Sequence, residues 1–217
     1  FGLTGTLDGS QTHRLVLEGL FGKVQKVVTT KELIDNKTIS DLHIEAIVLT
    51  YAEEECKLVK KMTYQEEMDY ITQHPRRNKF ISDLTLRLKY NTLVLFQFVE
   101  KHGKNLYDFI SSRTDRKVFF VYGKTDTEMR EEVRALSELN NDVIIIASYG
   151  TFSTGINIQN LHNIIFASPN KSRIRTLQSI GRVLRKNKSK SSASLFDIAD
   201  DFTYGKKKNY TLNHFME

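Results

Sequence analysis

The sequence predicts an α/β fold in which a mostly parallel central sheet is flanked by helices. Three observations carry that expectation. From residue 91 onward, short apolar runs alternate with longer amphipathic ones, the pattern of successive strand–helix–strand units. Most of those runs are dense in Val, Ile, Leu or Phe, as strands buried on both faces are. At 217 residues and 40% hydrophobic content, the chain can bury them in one domain with an attachment.

In chain order, residues 45–50 read as a strand and 53–73 as one long charged helix. Leu58, Met62 and Met68 are among the few apolar residues available there to face a core. His74-Pro75 ends that helix, because the residue before a proline is pushed out of the helical region. A second helix over 75–89 places Phe80, Ile81, Leu84 and Leu88 on one face. Strands follow at 92–96, 117–121, 143–147, 163–166 and 194–198, with helices at 102–112, 126–139 and 172–184. Thr125 with Glu128 offers a capping box for the helix from Asp126. The glycine-rich stretch 2–22 reads as a loop-rich connection.

Composition excludes several classes. No apolar run approaches the ~20 residues of a membrane helix, so no membrane partner is expected. The single cysteine, Cys56, makes no internal disulfide, and the six histidines lack zinc-site spacing. A reducing, cytoplasmic setting and no structural metal follow as expectations. Cys56 has no adjacent histidine to activate it and reads as a plain thiol. The chain opens on Phe1 without the charged start of a secretion signal and reads as a segment of a longer protein. The net charge is +6; residues 171–217 hold eleven Lys and Arg against four acids, and residues 1–170 hold 21 against 22. Positive charge clustered in this way suits a polyanion, whose counterions it releases, and equally a solvated tail.

Three segments can carry chemistry. In Gln178-Ser-Ile-Gly181-Arg182-Val-Leu-Arg185, two arginines three apart on a helix share a face, so both guanidinium forks reach one anion. Arginine stays charged and binds phosphate oxygens bidentately, which suits charge developing on a γ-phosphate. Gly181 allows close backbone approach, and Gln178 adds a neutral donor and acceptor one turn earlier. The second segment, Ser148 to Asn157, reads as a polar, glycine-containing loop directly after a strand, where parallel sheets bind ligands. Its Tyr149 and Phe152 suit either base stacking or packing under the loop. The third is Gly2-Leu-Thr4-Gly-Thr6. The sequence contains no Walker A loop, no acidic strand-end pair for magnesium, and no dinucleotide-binding glycine pattern.

Taken in order, these segments resemble the motif set of superfamily two helicases, and in particular the bacteriophage recombination-repair DNA helicases. Gly2 to Thr6 looks like motif III and Thr92 to Gln97 like motif IV. Tyr122-Gly123 with Arg130 looks like the motif that follows. Ser148 to Asn157 resembles motif V, and Gln178 to Arg185 fits the motif VI pattern Q-x-x-G-R-x-x-R at every fixed position. The resemblance implies a RecA-like second motor domain over residues 41–200. Residues 1–40 would then hold the end of the first motor domain and the connection, and 201–217 a basic extension. It implies ATP and Mg2+, held mainly by an upstream RecA-like domain, with Arg182 and Arg185 catalytic at the γ-phosphate. Gln178, Gly155 and Asn157 would lie by the nucleotide, and Ser148, Thr151, Gly123 and Gln97 would contact nucleic acid. The loop from Ser148 to Gly155 is one residue longer than in the DEAD-box branch, and Asn157 stands where that branch has aspartate. The activity implied is ATP-dependent remodelling of forked or four-way DNA in recombination, repair and replication, with the isolated chain inactive. An RNA helicase, a restriction-type translocase and a non-catalytic nucleic-acid binding module stay open beside it.

Overall fold

The structure, a computed structural model, describes residues 11–23, 32, 36, 40–155, 158–169, 190 and 192–216. Six strands form one sheet: β1 (Asp41–Thr50), β2 (Thr92–Phe96), β3 (Val118–Val121), β4 (Ile144–Ser148), β5 (Asn163–Phe166) and β6 (Ser192–Asp201). Their order across the sheet is β1-β6-β5-β2-β4-β3, and every pairing is parallel. The described helices are α1 (Gln11–Phe21), α2 (Glu53–Val59), α3 (Tyr64–Gln73), α4 (Pro75–Arg87), α5 (Lys104–Ser111), α6 (Thr127–Leu139), α7 (Tyr149–Gly155) and α8 (Tyr210–Met216).

Successive side chains of a strand point to opposite faces, so the central strands feed two cores. Leu93, Leu95, Ile145, Ala147, Ile164 and Phe166 pack with Val133 of α6 and with Tyr149 and Phe152 of α7. Val94, Phe96, Ile144, Ile146 and Ile165 pack on the other face with Ile81 of α4 and with Leu106 and Ile110 of α5. Each fully buried Val, Leu, Ile or Phe among them contributes roughly 1.5–3 kcal/mol. At the amino ends of the strands, Asn91 Nδ2 lies 2.7 Å from the carbonyl oxygens of Ser137, Asn140 and Asn160, and its Oδ1 accepts the Val143 amide at 2.8 Å. That one buried side chain ties β2, β4, α6 and the approach to β5 together.

Several expectations change. The helix expected over 53–73 is two, because the chain turns at Lys60–Met62 and restarts at Thr63. Thr63 accepts the Glu66 amide at 3.4 Å and Glu66 Oε2 accepts the Thr63 amide at 2.8 Å, a capping box. Met68 is buried as expected, but Leu58 is exposed. Asp126, not Thr125, caps α6, accepting the Met129 amide at 2.7 Å, while the Thr125 hydroxyl accepts the Tyr122 amide at 3.0 Å. Residues 11–21 of the expected loop-rich connection are helical. Residues 1–10, with the segment like motif III, and the helix expected over 172–184 lie outside the described residues.

The chain end is anchored. Glu67 of α3, buried, accepts the amides of Tyr210 and Thr211 at 2.9 and 2.7 Å and the Thr211 hydroxyl at 2.7 Å. A carboxylate is well placed at those first amides, which have no partner inside the helix.

Candidate nucleic-acid and phosphate site

Because all six strands run the same way, their carboxyl ends line one edge of the sheet. Four adjacent tips, β5, β2, β4 and β3, lead into Ser168, Gln97, Ser148 and Gly123. The chain leaves β2 toward β3 on one side and β5 toward β6 on the other. The crevice between β2 and β5 is therefore the topological switch point, where open parallel sheets bind ligands.

Gln97 is exposed just past β2. Gly123 is exposed past β3; nothing stands within 4 Å of where a Cβ would be, and its carbonyl accepts from Arg130 Nη2 at 3.1 Å. The Ser148 and Thr151 hydroxyls lie 2.8 Å apart, and Ser148 Oγ accepts the Thr151 amide at 3.3 Å. Ser148 thereby caps α7, as serine commonly does. Residues 149–155 are thus a helix where the sequence suggested a loop. Tyr149 and Phe152 are buried beneath it, so packing is their place rather than base stacking. The fold brings Gln97, Gly123, Ser148 and Thr151 onto one edge. Gly155 closes α7. Asn157, Gln178, Arg182 and Arg185 lie outside the described residues.

Sequence reasoning missed the groups that hold this edge. Ser168, buried, has its Oγ 3.0 Å from the Gln97 amide and 2.8 Å from His102 Nδ1. His102 Nε2 lies 3.2 Å from Asn78 Oδ1, while Asn78 Nδ2 donates to the Thr72 carbonyl at 3.0 Å. Asn78 Oδ1 is therefore an acceptor, and Nε2 must carry the proton. Nδ1 is then bare, so the Ser168 hydroxyl donates to it and accepts from Gln97. Burial, with Arg77 adding repulsion, holds His102 well below its ordinary pKa and so neutral, which this pattern requires. The Tyr149 hydroxyl donates to the Ser168 carbonyl at 2.9 Å. Ser168 thus joins the tips of β5 and β2 to α7.

Below it, Arg77 Nε donates to both Asp200 oxygens at 2.8 and 2.9 Å, and its Nη1 donates to the Ala167 carbonyl at 2.6 Å. The Tyr51 hydroxyl donates to Asp200 Oδ1 at 2.6 Å. Arg77 and Asp200 are both buried. Nearby on β6, burial pushes the Asp197 carboxyl up to about 6. Cys56 is buried and its thiol is pushed up by burial, consistent with a plain thiol. Among the described residues, no group of three or more His, Cys, Asp or Glu could hold a metal ion, and no helix is long and apolar enough to cross a membrane.

Residues 76–187, from the first turn of α4 to just past Arg185, match the helicase conserved C-terminal domain family. The chain belongs to that family. It is 40% identical, over its whole length, to the ATP-dependent DNA helicase uvsW of Enterobacteria phage T4, and spans 45% of that protein. The crystal structure of T4 UvsW superposes with a TM-score of 0.70 at 41% identity, over 91% of this chain and 40% of that one. The ATP-dependent Type ISP restriction-modification enzyme LlaBIII bound to DNA superposes with a TM-score of 0.60 at 16% identity, over 92% of this chain and 15% of that one, a likeness of fold alone. The helicase resemblance and the RecA-like sheet expected from the sequence are borne out. The chain spans less than half the length of its helicase relative.

Proposed function

We propose that this helicase C-terminal domain is the second motor domain of an ATP-dependent DNA helicase acting on branched DNA in recombination, repair and stalled-fork processing. The observation that carries the reading is the 40% identity with uvsW across the whole chain. The exposed tips at Gln97 and Gly123, beside the Ser148 cap, suit contact with a nucleic-acid backbone, whose phosphates accept from amides and polar side chains.

Arg182 and Arg185 are donors that fit phosphate oxygens and offer no ligand to Mg2+, and Gln178 adds a neutral donor and acceptor beside them. In this reading ATP and Mg2+ are held mainly by an upstream RecA-like domain. Bound there, ATP would supply the γ-phosphoryl group for transfer to water once the two domains have closed on it. Arg182 and Arg185 neutralise the γ-phosphate, Gly155 and Asn157 border the nucleotide, and Ser148, Thr151, Gly123 and Gln97 follow the strand. Residues 1–40 belong to the connection, 41–200 to this domain and 201–217 to its basic extension. The protein works in the cytoplasm of a host cell. Without the upstream domain the chain hydrolyses no ATP at a useful rate.

The test is ATP turnover of the full-length protein with single-stranded DNA, duplex, forked DNA, four-way junction or RNA as activator. Strongest stimulation by forked or four-way DNA supports the reading. Stimulation by RNA above DNA contradicts it.

A further inference from the structure

The positive charge near the chain end does not form a loose tail. Residues 204–207 close a tight turn, in which the Tyr204 amide donates to the Lys207 carbonyl at 3.1 Å and the Lys207 amide donates back at 3.3 Å. Gly205 holds a φ of +64° there, a conformation that side chains rarely adopt. The turn is fixed on both sides: Phe202 before it is in the core, and Asn209 and Thr211 after it are bonded to buried Glu67.

This turn is laid against the end of α2, about 150 residues earlier in the chain. Lys57 and Lys60 stand over the Tyr204 ring at 5.5 and 5.0 Å, Lys207 stands over the Tyr210 ring at 5.7 Å, and Lys207 Nζ donates to the Lys60 carbonyl at 3.4 Å. Two separate segments, Lys57-Lys60-Lys61 and Lys206-Lys207-Lys208, thus make one exposed basic ridge. Lys57 is neutralised by Glu53 at 2.6 Å, but among the described residues none of Lys60, Lys61, Lys206, Lys207 and Lys208 has a carboxylate within 4.0 Å. The Tyr204 and Tyr210 rings restrain Lys60 and Lys207, whose ammonium groups lie over them.

The ridge sits where β1 and β6 end, so it continues the same sheet edge that carries Ser168, Gln97, Ser148 and Gly123. We propose that it is an accessory binding surface for the phosphate backbone of DNA, engaging the duplex that flanks the strand held at the tips of β2, β4 and β3. The inference rests on the DNA-motor reading above. Among the described residues, these five cations without carboxylate partners, two at the end of α2 and three in or just after a fixed turn, fit a polyanion with closely spaced charges better than a single small anion.

The experiment uses the full-length protein and a fluorescein-labelled forked duplex, titrated across a salt series. The variants are the triple substitution Lys60→Ala, Lys207→Ala, Lys208→Ala and the same three positions changed to Arg. Each lost phosphate contact lowers the slope of log affinity against log salt by about 0.9, so the Ala triple is expected to lower it by roughly 2 to 3 and to weaken binding at least about tenfold at 0.1 M salt. The Arg triple is expected to retain wild-type binding, and ATP turnover at saturating DNA to be unchanged in both. An unchanged slope and affinity in the Ala triple overturns the proposal, as does an equal loss in the Arg triple. A wild-type protein whose ATP turnover ignores DNA would instead sink the motor reading itself.

Discussion

The Ser168 hydroxyl donates to Nδ1 of neutral His102 across 2.8 Å while accepting the Gln97 amide at 3.0 Å. Ser168→Ala removes both bonds at once and leaves two buried or half-buried polar groups without a partner. The expected cost is about 1–3 kcal/mol in urea unfolding. If the contact also sets the β2 tip, the DNA concentration for half-maximal ATP turnover rises while turnover at saturation holds. Wild-type stability in the variant would show that the bond contributes nothing.

A π-helical turn over Val99–Gly103 puts His102 inside the fold and brings Gly103 onto the Phe96 ring. A Cβ at Gly103 would meet three ring carbons at 2.6, 2.6 and 2.8 Å. Gly103→Ala is therefore expected to destabilise by about 1–3 kcal/mol through overpacking. Gly123→Ala meets open space and should be neutral in the same unfolding assay.

Arg77 and Asp200 form a buried pair in which the one Nε donor is shared between both carboxylate oxygens. Breaking it from one side, as in Asp200→Ala, strands a buried guanidinium and is expected to cost about 3–5 kcal/mol. Arg77→Lys should also fail to restore stability, since an ammonium cannot donate both to Asp200 and to the Ala167 carbonyl in that planar arrangement. Thermal unfolding of the two variants checks this.

Asp197 ionises near 6 in the fold and near 3.8 as an ordinary carboxyl, because burial penalises its charge. Folding therefore takes up a proton between those values, and this group's contribution falls as pH rises through the window from about 4 to about 6. Above it, the ionised carboxylate costs on the order of 3 kcal/mol. Asp197→Asn should stabilise the protein at pH 7 more than at pH 4; equal gains at both would show that the carboxyl is not perturbed.

The sheet could be read from the sequence because its strands are buried on both faces, and continuous apolar runs such as Thr92–Phe96 and Asn163–Phe166 say so directly. The sequence pattern starts β1 four residues late because it is an edge strand, with Ile44 and Val48 exposed and polar residues at its start. The break between α2 and α3 was hidden by Lys60-Lys61, which suit a helix interior, although Thr63 and Glu66 carry a start signal. At the site, the segment from Ser148 is legible because it follows a strand, whereas Gln97 and Gly123 come only from the resemblance to the helicase motifs. Ser168, His102 and Asn78 are legible in neither way, since a lone hydroxyl, imidazole and amide far apart in sequence show no pattern until the strands pair. The lysine ridge shares that reason, half of it lying in the charge-balanced part of the chain.

In the proposed motor, this domain supplies the arginine side of the ATP site. The most direct measurement is ATP turnover and DNA affinity of the full-length protein with Arg185→Ala against wild type. Loss of turnover by about a thousandfold or more, with DNA binding intact, is the result expected of an arginine that neutralises the γ-phosphate. Turnover indifferent to Arg185 would contradict it and leave the domain a nucleic-acid binder with a motor's fold.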